Sequence, residues 1–105
     1  MGRSKKQAFT HQQNRIADLS RALGHPARIA ILEFLAKSNA CMCGDIVEVL
    51  PLSQSTVSQH LRELKAVGLI RGDIEGTRVC YCIDDKAFEQ ARKLMDQFLS
   101  IKSCC

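Results

Sequence analysis

Six cysteines in a chain of 105 residues fall into three close pairs: Cys41 with Cys43, Cys80 with Cys82, and Cys104 with Cys105. A thiolate is both a nucleophile and a soft metal ligand. Closely spaced thiols therefore bind a thiophilic ion, cycle between dithiol and disulfide, or simply pack as small apolar side chains. The basic start MGRSKKQ is followed by no apolar run, so neither a secretory leader nor a membrane span is expected. The expected location is the cytoplasm, where structural disulfides are disfavoured, and this turns the three pairs towards metal or redox chemistry. A thiol enzyme fits poorly, because the chain offers no Cys-x-x-Cys, no alternating strand-helix pattern and no evident general base.

A second set of residues has the chemistry to read nucleic acid. In LSQSTVSQHLREL, Ser53 can cap a helix in which Val57, Leu61 and Leu64 recur at i, i+4 and i+7. Ser55, Ser58, Gln59, Arg62 and Lys65 then lie on the opposite face. Glutamine can pair with adenine, and short hydroxyl side chains reach bases or phosphates. Ser53, Gln54 and Thr56 sit at the helix start, where free amides favour a phosphate, and His60 lies in the same helix. Arg62 and Lys65 suit phosphates, as do Arg71 and Arg78 on either side of Gly76. The net charge of +4 agrees with a polyanionic partner without requiring one. The plain alternative is a solvated polar face.

The elements that must position these residues read as a mostly α chain with a small β-hairpin. Phe9, Ile16, Leu19 and Leu23 predict a first helix over residues 9–23 ending at Gly24. Pro26 opens a second, with Ile29, Leu32, Leu35 and Ala36 on one stripe, widened by Ile31 and Phe34, until Ser38 and Asn39 break it. A short helix from about Met42 to Leu50 ends at Pro51, and the helix capped by Ser53 ends at Gly68. Two strand-like runs, Leu69 to Ile74 and Thr77 to Ile83, join at Glu75-Gly76, and in the second Cys80 and Cys82 share one face. Asp84 caps a last helix with a long apolar stripe from Phe88 to Ile101. The order αααα-ββ-α is that of a winged helix-turn-helix (α+β), a single domain over residues 1–105 with a flexible basic arm at 1–7 and a flexible cysteine-bearing tail at 102–105. So small a domain often gains stability as a dimer.

Four stretches together, LGHPARIAILEFL, CMCGDIVEVL, LSQSTVSQHLRELKAVGLI and EGTRVCYCI, make the chain resemble the ArsR/SmtB family of metalloregulatory repressors over nearly its whole length. The resemblance implies a homodimer joined through the first and last helices. It implies binding to an imperfect inverted repeat in double-stranded DNA, with no cofactor needed, and release by an inducer. Cys41-Met42-Cys43 matches the Cys-x-Cys that opens the third helix in the arsenic- and cadmium-responsive branch. The third cysteine of the arsenic version is replaced by Ile46, and the cadmium version's arm cysteines have no counterpart. A third ligand must then come from Cys104, Cys105, Cys80 or Cys82. The zinc site of the family is absent, since Lys86 and Ala87 follow Asp85 and no histidine occurs after His60. The implied inducer is As(III), followed by Sb(III), Cd(II) or Pb(II). The alternatives are a redox- or persulfide-sensing repressor of the same fold and, further off, a thiol enzyme or a metal-sequestering protein.

Overall fold

Thr10 and Gln13 start the first helix, α1 (His11–Leu23), with a capping box: the Thr10 hydroxyl accepts from the Gln13 amide at 3.0 Å, and the Gln13 side chain accepts from the Thr10 amide at 2.9 Å. A computed structural model describes residues 7–38, 42–43, 50–75 and 78–102. Phe9 falls before this cap and is 59% exposed; of the rest of the expected stripe Leu19 is buried and Ile16 and Leu23 are half-buried, with Leu23 packed on the core, and Ala22 is buried beside them. Gly24 stops the helix as the sequence predicts, its amide returning to the Arg21 carbonyl.

The second helix, α2 (Pro26–Ser38), begins at a proline whose fixed φ suits a first helical position. His25 caps it, with Nδ1 accepting from the Ala27 amide at 3.1 Å. Ile31, Leu32 and Leu35 are buried. Ile29 was expected on this stripe and is exposed, because at 100° per residue it falls well away from the stripe's centre. The helix also runs through Ser38, one of the residues expected to break it.

Met42 and Cys43 correct the sequence reading. They form a short strand, β1 (Met42–Cys43), where the start of a helix was expected, because the backbone pairs with the central wing strand and takes its hydrogen bonds there. Residues 44–49, where the rest of that helix was expected, lie outside the described residues.

Ser53 caps α3 (Gln54–Ala66) as expected, accepting from the Thr56 amide. The helix ends in a Schellman motif: Gly68, at φ +83°, donates to the Lys65 carbonyl at 2.9 Å, and Leu69 donates to the Leu64 carbonyl at 3.2 Å. Only a glycine adopts that φ without strain. The motif turns the chain straight into β2 (Ile70–Glu75), which pairs with β3 (Arg78–Ile83) from Ile70 opposite Ile83 to Glu75 opposite Arg78. The first strand lies one residue further along than expected and the second starts one residue later while ending at Ile83 as expected; Gly76 and Thr77, between the paired ends, lie outside the described residues. β3 is the middle strand of an antiparallel sheet of order β1-β3-β2. Gly72 faces Tyr81 across the pair so closely that a Cβ there would come within 2.7 Å of the ring.

Asp84 caps α4 (Asp85–Leu99), accepting from the Ala87 amide at 3.0 Å. The core joins Leu19 of α1, Ile31, Leu32 and Leu35 of α2, Val57, Leu61 and Leu64 of α3, and Leu69 and Ile70 leading into the wing. Each such side chain contributes about 1.5–3 kcal/mol by burial. α4 has no fully buried residue: Phe88, Ala91, Leu94 and Met95 pack half-buried on this core, and Phe98, Leu99 and Ile101 are exposed. A groove of about 580 Å³ separates α4 from α1, lined by Leu19, Leu23, Phe88, Ala91 and Met95.

Candidate nucleic-acid interface and the cysteine positions

The burial of Val57, Leu61 and Leu64, each at most 6% exposed, fixes how α3 is rotated on the core. Its other face is therefore turned to solvent. Ser53, Gln54, Ser55, Thr56, Gln59, Arg62 and Lys65 are exposed and Ser58 is half-buried. At the helix start the hydroxyls form a connected set, with Ser53 Oγ 2.9 Å from Thr56 Oγ1 and 3.2 Å from Ser55 Oγ. Amides and hydroxyls gathered at a helix amino-terminus make a site suited to a phosphate oxygen. One turn on, Arg62 donates to Gln59 Oε1 at 2.9 Å, and the Gln59 amide donates to Glu63 at 3.3 Å. These bonds link Gln59 to its helical neighbours on the exposed face.

Lys65 extends from the end of α3 to the wing, its ammonium 3.4 Å from the Gly72 carbonyl, and Arg71 is exposed beside it. Arg62, Lys65 and Arg71 thus place positive charge along the helix and onto the wing. Arg78 sits opposite Glu75 at the far end of the hairpin.

His60 does not belong to that face. It is 6% exposed, packs against His25 with ring centroids 4.4 Å apart and the rings tilted at 53°, and accepts from Arg28 Nε at 3.1 Å through Nδ1. Its position, three residues after Val57 and one before Leu61, carries it round to the packed side. Burial, together with the nearby His25 and Arg28, holds its pKa below the ordinary histidine value.

Arg28 is the residue that sequence reasoning missed. Its other guanidinium nitrogen donates to the carbonyls of Arg21 and Ala22 at 3.3 Å. It therefore ties the end of α1, where the helix dipole favours a cation, to the inner side of α3. Its place on the inner stripe of α2, one turn before Leu32, is the signal that could have exposed it: a cation among core positions needs partners.

The cysteines are grouped by the sheet. Cys43 on β1 is the direct cross-strand partner of Cys80 on β3, while on the other side Asp73 and Arg71 of β2 oppose Cys80 and Cys82. Cys80 and Cys82 are buried, and both are disulfide-bonded. Cys41, Cys104 and Cys105 lie outside the described residues, as does the side chain of Cys43. Among the described residues no three histidine, cysteine or acidic side chains cluster as a metal site, and no helix is long and apolar enough to cross a membrane.

Residues 25–71, from the α2 cap to the first wing strand, match the family model described as bacterial regulatory protein, arsR family. The HTH-type transcriptional repressor SmtB of Mycobacterium tuberculosis is 43% identical over 68 residues, 65% of this chain and 50% of its own, so this chain spans about half of that relative's length. A cadmium resistance transcriptional regulatory protein CadC homolog of Staphylococcus aureus is 31% identical over 91 residues, 86% of this chain and 74% of that protein. Among solved structures, a possible transcriptional regulator for arsenical resistance superposes with a TM-score of 0.69 at 28% identity, covering 77% of this chain and 83% of the other. With the exposed polar face of α3 and the basic wing in place, the chain belongs to the ArsR family: it is a DNA-binding transcriptional repressor of winged helix-turn-helix fold, and not an enzyme.

Proposed function

We propose that this repressor is a cytoplasmic homodimer, joined through α1 and α4, that binds an imperfect inverted repeat and leaves it when a thiophilic metal or metalloid binds its cysteines. The base-reading face comprises Ser55, Ser58 and Gln59. Ser53, Gln54 and Thr56 take a phosphate at the helix start, and Arg62, Lys65, Arg71 and Arg78 take others along the helix and wing. The apolar groove and the exposed Phe98, Leu99 and Ile101 support α4 as the surface for a second copy.

The inducer site uses Cys41 and Cys43, and the observation that carries it is the pairing of Cys43 with Cys80 across β1 and β3. Of the four candidates for a third sulfur, Cys80 is the one favoured by that register, ahead of Cys82, Cys104 and Cys105. As(III) takes three thiolates in a pyramid and is the first inducer to test, followed by Sb(III), Cd(II) and Pb(II). The relatives linked to cadmium and arsenical resistance support this class. A second reading, a redox-sensing repressor, is favoured by one observation, the disulfide bonding of Cys80 and Cys82.

Titration of arsenite and Cd(II) into the reduced protein–operator complex tests the reading. Operator affinity is expected to fall about 5- to 150-fold, the range of typical allosteric couplings. Unchanged affinity, or full release from a Cys41→Ser, Cys43→Ser variant, refutes it.

A further inference from the structure

Arg28 joins three helices through one guanidinium. From α2, its Nη1 donates to the Arg21 and Ala22 carbonyls at the end of α1, both at 3.3 Å, and its Nε donates to His60 Nδ1 on α3 at 3.1 Å. The hold on α1 is secure, because the last carbonyls of a helix are the negative end of its dipole. The hold on α3 is conditional. Nδ1 accepts only while it carries no proton, so the bond requires neutral His60 with its proton on Nε2.

His60 stands where such a bond governs the roll of the helix. Val57, Leu61 and Leu64 bury the apolar stripe of α3, and His60 lies about 60° to one side of Val57 around the axis. Apolar contacts are non-directional and tolerate a small roll; a hydrogen bond is directional and resists it. A roll of about 10° carries a side-chain end, about 5–6 Å from the helix axis, by about 1 Å. Gln59, the residue before His60, is on the exposed face and would be moved by that amount. Among the described residues, the charged and titratable groups acting on His60 are His25, next to the start of α2, Arg28 on α2, and Glu63 on α3 itself; α1 meets it through Arg28. Burial first, then His25 and Arg28, oppose a proton on His60, and Glu63 favours one.

We infer that Arg28 is a positioning residue for DNA binding: it sets the roll of α3 through neutral His60, and a proton on His60 breaks that hold and lowers operator affinity. The inference rests on the reading of the outer face of α3 as the operator-binding face; it does not involve the cysteines or the inducer. The proton comes from solvent and binds Nδ1, which turns the acceptor into a donor aimed at another donor and places a second positive charge against the guanidinium. Charge alone makes the opposite prediction, since an added cation on a DNA-binding protein strengthens its hold on phosphates. The sign of the pH dependence therefore separates positioning from charge. If the operator is bound only with His60 neutral, log affinity rises with pH by up to about 1 per copy below the His60 midpoint, and the operator in turn lowers that midpoint.

The test uses the full chain and, as operator, the fluorescein-labelled duplex that the protein selects from a randomised pool. The imidazole nitrogen-15 shifts of His60 give its midpoint, and the Nε–H signal of Arg28 should lose its protection from exchange at that same pH. One pH unit below the midpoint, at constant salt, operator affinity should be about tenfold lower per copy than at pH 7.5. His60→Gln keeps an acceptor for Arg28 and cannot titrate, so it should bind as the parent does at pH 7.5 and stay level as pH falls. His60→Leu fills the space without an acceptor and should already bind about tenfold or more weakly at pH 7.5. Parent affinity that is level or rises through the midpoint, a fall in His60→Gln equal to the parent's, or parental binding by His60→Leu overturns the inference. Unfolding before His60 titrates overturns it as well, since Arg28 then holds the fold together and not the roll of α3. Gln59→Ala in the same assay separates the two failures. If it keeps full operator discrimination, the face is misassigned and the inference falls with it; if it loses discrimination while the pH dependence is absent, the role of Arg28 alone falls.

Discussion

Exchanging Lys65 for glutamine separates the two jobs assigned to α3. Lys65 is exposed, and among the described residues its ammonium makes a 3.4 Å approach to the Gly72 carbonyl, so the change should move stability by no more than about 0.5 kcal/mol. Its effect on DNA binding should be electrostatic. Each phosphate contact contributes about −0.9 to the slope of log K against log salt. Arg62, Lys65 and Arg71, doubled in a dimer, set a ceiling near about −5 for the described cations. Lys65→Gln in both copies should reduce the slope by about 1.8, so that a fourfold rise in salt costs the variant about 12-fold less affinity than it costs the parent. Its preference for the operator over an operator with one changed base pair should be preserved. Gln59→Ala should do the reverse, leaving the slope alone and losing about 1–3 kcal/mol of discrimination at one position of each half-site. Fluorescence anisotropy with parent and altered duplexes across a salt series reads both quantities. An unchanged slope in Lys65→Gln, or a loss of discrimination like that of Gln59→Ala, would refute the assignment of base reading to Gln59 and of phosphate binding to Lys65.

Other outcomes follow from single positions. Gly68→Ala must hold a Cβ at φ +83°, and should lower stability by about 1–2 kcal/mol in urea unfolding; an unchanged midpoint would mean the Schellman turn relaxes without cost. His60 is neutral when it accepts from Arg28, and its pKa in the folded protein lies below the unfolded value. Its contribution to stability should be fully present above about pH 6.5 and be lost as pH falls from there through the depressed value. His60→Gln should flatten that part of the unfolding profile, and an equally steep fall in the variant would exclude His60 as its source. Phe98→Glu puts a charge on the exposed apolar end of α4 and should shift sedimentation from dimer to monomer; a variant that sediments as the parent does would place the interface elsewhere.

The elements that follow local rules were legible in the sequence. Ser53 and Asp84 cap the helices they were expected to cap, Pro26 and Gly24 mark real boundaries, and the i, i+4, i+7 stripe of Val57, Leu61 and Leu64 is buried as read. Ile29 shows the limit of a stripe drawn by eye, since two residues of drift carry a side chain far round a helix. Met42 and Cys43 show a deeper limit. Nothing local says that they pair with β3, because a two-residue strand has no period of its own and exists only through its partner. The sequence leaves His60 open between a structural and a DNA-facing role, and its angle about the helix together with the guanidinium of Arg28 sets it on the inner side.

That tertiary pairing would also carry the proposed cysteine-based signal towards the DNA surface. β3 is the central strand, so any change in the spacing of β1 against it also bears on β2, its other neighbour. β2 is joined to α3 by only three residues, and the Schellman bonds at Gly68 and Leu69 fix the direction of that joint. Lys65 spans it from the other side to Gly72, whose own position is held by the Tyr81 ring of β3. Packed elements of this kind have discrete arrangements and do not deform smoothly, so a displacement at the proposed cysteine site would be taken up by the wing and the helix together. Gly72→Ala probes the linkage without touching a cysteine or a DNA-facing side chain. By pushing Tyr81 it should cost about 1–3 kcal/mol of stability and, if the sheet carries the signal, alter the ratio of operator affinities with and without Cd(II). A variant that is destabilised yet keeps the parental ratio would mean that the signal leaves the cysteines by a route other than β3 and β2.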